Sequence, residues 1–368
     1  MKKKLLFVTS LYSPFQVDLL KSFDQSNNLS FHIAFTENYS NIRGKHWQDG
    51  ANHNNSYIHL IDKNEDYECK LIWTKRIIED IKPTHVVLGG WRLRFYKDVF
   101  KFAKSKNIKV GFWFEPPNYT LNKITQYMLY LYARIVVSNA DFIFSIGDRS
   151  ETYYKGIVKN PQNVYLLTYG QNLNDFRKIP DKFFLDSITF LFSGQLVNRH
   201  NIRWICNAIE CIYDKYGSVF RVVIAAKGPE QHFIDSILAK RPELINIISY
   251  DRDYNKWSDR VNPFSDSQVL LYPTSHSGWG LVIPEAMAAG MVVLSTRKSE
   301  AARYFIRHGI NGRFIDESYS GLVDGMMYCL ENRDDLVRLS KQARIDSVYG
   351  EDGYVSNMLK SFLSKPHF

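Results

Sequence analysis

Residues 272–290, YPTSHSGWGLVIPEAMAAG, combine glycines, hydroxyls, a proline and one carboxylate in an order that suits a phosphorylated, hydroxyl-bearing ligand. An apolar run at 268–272 reads as a strand that stops at Pro273, and a polar loop follows. A helix is expected from Pro284, since proline suits a first helical position where its missing N–H has no intrahelical partner. Gly290 then ends the helix in a left-handed cap. Free N–H groups and the helix dipole favour an anion at such an N-terminus. Gly278 and Gly280 let the backbone approach a ligand closely. Glu285, in the first turn, can accept hydrogen bonds from a pair of vicinal hydroxyls. The plainer role of a first-turn acid is to complement the dipole. Within the whole string the ligand role carries more weight.

The elements that must hold this loop alternate along the chain. In the first half, strands are expected at 4–9, 29–35, 85–88, 108–114, 141–146 and 164–167. Helices fall at 17–23, 71–81, 95–104 and 122–137, with Pro83 as a break. A second series begins at 188, with strands at 188–193, 221–225, 246–250, 268–272 and 291–295. Its helices are at 202–213, 231–239, 284–289, 319–332, 333–349 and 354–363. Short apolar strands between amphipathic helices predict parallel, doubly wound α/β sheets. The polar stretch 171–180 reads as a hinge. The expected division is an N-terminal domain at 1–178, a C-terminal domain at 188–350, and a last helix at 351–368 that can cross back. Two such halves imply a cleft between them.

Bulk properties narrow the class. With 368 residues, 45% hydrophobic and 23% charged, the chain is globular and large enough for two cores. Cys69, Cys206, Cys211 and Cys329 lack metal or redox spacing and read as reduced thiols of a cytoplasmic protein. The run after Lys2–Lys4 is too short for a signal peptide, and no segment has the length of a membrane span. The net charge of +9 attracts anions, but the basic residues are dispersed and no nucleic-acid module is evident.

The segment SGWGLVIPEAMAAGMVVLST, followed by AARYFIRHGINGRFI, resembles the retaining glycosyltransferases of family 4, which have the GT-B fold of two facing Rossmann-like domains. Gly278, Trp279, Gly280, Leu281, Glu285, Ala286, Met287, Ala288 and Gly290 fall on that family's donor loop and helix. Gly309, Asn311 and Gly312 fall on its downstream turn. Gly194, Gln195, Arg199 and His200 resemble the loop that normally places Arg and Lys on the diphosphate, and Lys227 and Gly228 resemble its G-x-G-P turn. The resemblance implies a nucleotide-sugar donor, UDP-linked by expectation, transfer with retention, and no metal. It also exposes departures. Ser277 stands where an acid normally contacts the transferred sugar, and a serine is a weaker contact than a charged acceptor. Gln195 and His200 stand where fixed cations are usual. Arg199 and Lys227 are the substitutes at hand.

On the acceptor side, three loops follow strands of the first half: 10–16, Gly89-Gly90-Trp91-Arg92, and Glu115-Pro116-Pro117-Asn118-Tyr119. Trp91 could stack on a sugar face or pack in the core. Glu115 ends an apolar strand, where desolvation would raise its pKa and suit acid–base work; pairing with Arg92 or Arg94 is the plainer outcome. Arg43 and Trp47 form a further candidate acceptor loop. The aromatic helix 122–137 reads either as ordinary packing or as a helix that rests on a membrane interface or lines an acceptor channel. The acceptor implied is a glycan or lipid-linked glycan, with an anionic membrane surface as a partner and the cytoplasmic face as the location. Ser277, Gln195 and His200 keep one alternative open, a catalytically silent GT-B scaffold. A nucleotide-sugar epimerase can share the fold, but Ser277 and the absence of a cluster of acids with a histidine speak against it.

Overall fold

The computed structural model describes residues 3–23, 29–37, 56–61, 66–90, 93–117, 122–182, 187–251 and 257–365. The chain forms two compact units, Met1–Asn172 with Glu351–Phe368, and Leu173–Gly350. Arg43, Trp47, Trp91, Arg92, Asn118 and Tyr119 lie outside the described residues.

Unit 1 is a seven-stranded, wholly parallel sheet. Its strands are β1 (Lys3–Leu11), β2 (Leu29–Glu37), β3 (Ile58–Leu60), β4 (His85–Leu88), β5 (Lys109–Phe114), β6 (Phe142–Ser145) and β7 (Val164–Leu166), in the order β3-β2-β1-β4-β5-β6-β7. Helices α1 (Pro14–Ser22), α2 (Tyr67–Ile81), α3 (Arg94–Ser105), α4 (Lys123–Val137) and α5 (Asp148–Lys155) connect them. Both faces are covered, so β4 and β6 are buried along their whole length, as continuous apolar runs require. β1 and α1 both extend further than their apolar residues suggest, so the expected loop 10–16 shrinks to Tyr12 and Ser13. Lys82 turns left-handed at φ 51° and ends α2 before Pro83.

Unit 2 repeats the plan with six parallel strands: β8 (Ile188–Gln195), β9 (Phe220–Lys227), β10 (Ile248–Asp251), β11 (Val269–Tyr272), β12 (Val292–Ser295) and β13 (Arg313–Phe314). Their order is β10-β9-β8-β11-β12-β13, the doubly wound arrangement of nucleotide-binding sheets. The helices are α6 (Asn174–Arg177), α7 (Ile202–Tyr216), α8 (His232–Lys240), α9 (Asn262–Ser265), α10 (Val282–Ala288), α11 (Glu300–Phe305), α12 (Tyr319–Glu331) and α13 (Arg333–Asp346). The division falls earlier than the 178 expected. Phe176 is fully buried against Phe264 of α9, with ring centroids 5.0 Å apart, so α6 belongs to unit 2.

The last helix, α14 (Asp352–Leu363), packs within unit 1. Ser22 Oγ at the end of α1 donates to the Asp352 carbonyl at 3.2 Å, and Phe362 stacks on Phe144. A side chain at Gly170 would lie 2.9 Å from the Asp352 Cα, which explains the glycine there.

The G-x-N-G turn is structural. Asn311 is fully buried, its amide donates to the Phe305 carbonyl (2.9 Å) and to Asp346 (2.7 Å), and its oxygen accepts from the Arg307 N–H (2.7 Å). Burial pushes the Asp346 pKa up, but hydrogen bonds from Arg307, Asn311 and Gln342 prevail and hold it below the ordinary carboxylate range. A depressed folded pKa gives stability that is complete above the unfolded value and is lost as pH falls through the folded one. Asn311→Ala should therefore lower the unfolding free energy of unit 2 by about 2 kcal/mol or more, and should reduce its loss of stability on acidification. Urea titrations at neutral and acidic pH read both effects.

Candidate functional site

In a doubly wound sheet the ligand crevice lies beyond the carboxyl ends of the strands where their order reverses. In unit 2 that point is between β8 and β11. The loop after β8 carries Arg199 and His200, and the loop after β11 carries Ser277 to Leu281.

The two loops are clasped together. The Arg199 carbonyl accepts from Ser275 N–H (2.7 Å) and from Thr274 Oγ1 (3.0 Å). Asn201, left-handed at φ 53°, donates through its amide to the Pro273 carbonyl (2.7 Å) and to Ser275 Oγ (2.8 Å). These bonds use the Arg199 backbone, and its side chain stays exposed. Lys227, at the end of β9, is also exposed, so two cations border the loops. Gly228 has φ 155°, and a side chain there would meet the Leu196 carbonyl at 2.4 Å. Gly194 is exposed at φ 153° with open space around it, and Gln195, partly buried, pairs in register with Lys227.

His200 does not replace the missing lysine as a charge. It is 5% exposed, set between Phe192 and Tyr272, with ring centroids at 6.2 and 5.4 Å. Burial, with Arg199 beside it, depresses its pKa to about 4, so the ring is neutral at physiological pH. Arg199 Nε lies 3.4 Å from His200 Nε2, which makes Nε2 the acceptor and puts the proton on Nδ1. That Nδ1 has no hydrogen-bond partner among the described residues.

Trp279 is 2% exposed and packs tilted on Tyr304 and edge-on against Phe305, both centroids 5.8 Å away. Its carbonyl accepts from Ser299 Oγ and from Ala301 N–H. The ring thus anchors the glycine loop from the buried side. At Gly280, φ is 108°, and a side chain would come within 2.8 Å of Ser299 Oγ. Ser277 is buried and accepts a 3.1 Å hydrogen bond from Tyr272 Oη, so a pair of neutral hydroxyls occupies the position of the family acid.

Helix α10 begins at Val282, with Leu281 as its N-cap residue, so Pro284 is its third residue and not its first. The fit survives because a third-position N–H also lacks an intrahelical partner. Gly290 caps it at φ 71° as expected. Glu285 is 8% exposed and pairs with Arg260 (Nε to Oε1, 3.3 Å), whose guanidinium lies 5.1 Å over the Phe176 ring. Burial raises the Glu285 pKa, and Arg260 pulls it back down. Nothing in the spacing of WSDRVNPF marks Arg260 in the sequence; it acts only through the fold.

In unit 1, Glu115 follows β5 but is exposed, so the burial expected of it is absent. Arg94 pairs with Asp98 at 3.5 Å. Among the described residues no cluster of three or more His, Cys, Asp or Glu side chains is arranged to hold a metal.

Two parallel units with this strand order, and a glycine loop and buried acid at the switch point, define a GT-B protein. Residues 175–346 match the family described as glycosyl transferases group 1, and the match falls within unit 2. A curated relative, the UDP-N-acetylglucosamine–peptide N-acetylglucosaminyltransferase GtfA subunit of Streptococcus agalactiae, is 23% identical over 193 residues. That match takes in 48% of this chain and only 35% of the relative. Among solved structures, Anabaena Alr3699/HepE, in complex with UDP and glucose, superposes with a TM-score of 0.73 at 11% identity, over 98% of this chain and 99% of that one. The UDP-GlcNAc 2-epimerase of Neisseria meningitidis superposes with a TM-score of 0.63 at 14% identity, over 98% and 99%.

Arg260 opposes the rise in the Glu285 pKa that burial causes. Arg260→Met should raise the Glu285 pKa further and weaken nucleotide binding at neutral pH by about tenfold, since removing one partner of a buried pair strands the other. Calorimetric titration with UDP across pH reads this, because the pH above which binding is strong should move upward in the variant. A variant with unchanged affinity and pH dependence would show that Arg260 has no such role.

Proposed function

We propose that the protein is a retaining glycosyltransferase that moves a sugar from a nucleotide donor, UDP-linked, to a glycan or lipid-linked glycan acceptor. The observation that carries this reading is the buried Glu285, held beside a left-handed glycine loop at the switch point of unit 2. Its carboxylate would accept the ribose hydroxyls, with Arg260 favouring its charged form. Arg199 and Lys227 would neutralise the diphosphate as it leaves, helped by His200 Nδ1–H as a neutral donor. The bond from the anomeric carbon to the β-phosphate oxygen breaks. A new bond forms to the acceptor oxygen, and the acceptor proton passes to the departing phosphate. No metal is required in this scheme. Ser277 and Tyr272 would meet the sugar with hydroxyl groups, which favours a sugar recognised through neutral hydrogen bonds. Glu115 is our candidate on the acceptor side, where an exposed carboxylate can orient a hydroxyl. We place its work at the cytoplasmic face of an anionic membrane, in surface glycan or glycoconjugate assembly. No described helix is long and apolar enough to cross a membrane.

A silent scaffold is the second reading, favoured by the neutral groups at Gln195, His200 and Ser277. Incubation with a panel of sugar nucleotides and a crude glycolipid acceptor separates the readings. Nucleotide release that depends on acceptor, with a product heavier by one sugar, is the expected result. A changed sugar without acceptor would mean epimerisation, and binding without turnover would mean the scaffold. Glu285→Ala should weaken UDP affinity at least tenfold. Unchanged affinity would refute the ribose role.

A further inference from the structure

Among the described residues of unit 1, helix α4 is the element whose apolar residues face outward in a continuous row. Ile124 (78% exposed), Tyr127, Met128, Leu131 and Ile135 (74%) are all exposed. At 100° per residue they fall within an arc of about 100°. The opposite face is already satisfied, with Ala133 and Val137 buried against the unit 1 core. The exposed row is therefore surplus to folding. Asn122 caps the helix by accepting from Thr125 N–H at 2.8 Å, so the row is presented on a formed helix.

Charge says what covers it. The helix KITQYMLYLYARIVV contains no acidic residue. Lys123 and Arg134 are exposed along one edge of the row, and Lys97 lies over the Tyr132 ring at 4.3 Å along the other. Unit 1 as a whole holds 25 Lys and Arg against 17 Asp and Glu, which is +8 of the chain's +9. Two copies meeting through this row would bring cations against cations. An anionic bilayer satisfies both the apolar row and its cationic edges. With 15 residues, α4 is shorter than the roughly 20 a membrane span needs, so it lies in the interface and does not cross.

A recess of about 360 Å³ opens beside the row, lined by Pro117, Lys123, Gln126, Tyr127, Tyr130 and Tyr153. It joins the α4 face to the segment that follows Glu115, and its tyrosines and single lysine suit the anionic, partly apolar head of a lipid-linked acceptor.

We infer that α4 is an in-plane anchor that seats unit 1 on an anionic lipid surface. This deepens the proposed site of action at a membrane and rests on that reading, but not on the donor chemistry. The test is co-sedimentation of the full chain with phosphatidylcholine vesicles, with and without phosphatidylglycerol. It compares the wild type with Ile124→Ser/Ile135→Ser and with Lys97→Gln/Lys123→Gln/Arg134→Gln. Circular dichroism and UDP titration are run on each variant.

Binding should require phosphatidylglycerol and weaken with salt, and each variant should lose about tenfold or more in affinity while keeping fold and UDP affinity. A Tyr127→Trp variant should be quenched by brominated lipid. Failure of the wild type to sediment with anionic vesicles at low salt overturns the inference, as does undiminished binding by both variants. A dimer in sedimentation velocity that Ile124→Ser/Ile135→Ser abolishes, without vesicle binding, would assign the row to a second copy instead. If UDP binding fails while vesicle binding holds, the donor reading falls and the anchor stands.

Discussion

Where β8 and β11 lie side by side, the sheet of unit 2 has two carboxyl ends whose connections lead away in opposite directions. Nothing in the topology alone keeps their loops in a fixed relation. The Arg199 carbonyl does so, gathering bonds from Thr274 and Ser275, while Asn201 returns bonds to Pro273 and Ser275. Because the clasp is made with one backbone carbonyl and small polar side chains, it consumes none of the charge. The Arg199 guanidinium remains outside it. The glycine loop is fixed in turn by Trp279, whose ring is buried so that its carbonyl meets Ser299 and Ala301. Gly228 and Gly280 are then unavoidable, since side chains would strike the Leu196 carbonyl and Ser299.

Electrostatics in the two units follow different rules. Unit 1 carries nearly all the net charge, spread over its surface, which is the form a long-range attraction takes. Unit 2 is close to neutral overall and works through single groups whose surroundings set their state. Glu285 is raised by burial and restrained by Arg260, while His200 is held neutral by the same kind of burial with no acid to oppose it. A buried carboxylate with a cation and a buried imidazole without an anion are the two inexpensive ways to keep ionisable groups out of water.

Much of the fold was legible because parallel strands covered on both faces must be apolar throughout. β4, β11 and β12 read directly from HVVL, VLLY and VVLS. Short elements whose residues carry no period were not legible. β3 has three residues and β13 two, and α6 is held by Phe176 on Phe264 rather than by its own pattern. At the site, glycines and Glu285 could be seen because local geometry demands them. Arg260 could not, because its role depends on two segments meeting in space. The expectation for Glu115 erred for a related reason: ending a buried strand says nothing about whether the next residue turns toward solvent. The aromatic content of α4 was visible, but which side faced outward was decided by Ala133 and Val137, two of the least conspicuous residues in it.

The departures from the family pattern are physically connected. The His200 ring packs on Tyr272, and the Tyr272 hydroxyl bonds to Ser277. All three are buried, so each must suit the charge of the others. A carboxylate at 277 would be desolvated next to a tyrosine and a neutral histidine, with Arg260 already committed to Glu285. A lysine at 200 would be desolvated between two aromatic rings with no acid within the trio. Either change alone strands a buried charge, at a cost of several kcal/mol. Made together, Ser277 and His200 leave a neutral seam in which Tyr272 Oη donates to Ser277 Oγ, His200 Nε2 accepts from Arg199 Nε, and no charge is stranded. Such a coupled seam would suit a sugar recognised through neutral hydrogen bonds, as proposed for Ser277 and Tyr272. Independent decay of a disused pocket would give no reason for the acid and the cation to be missing at the same seam.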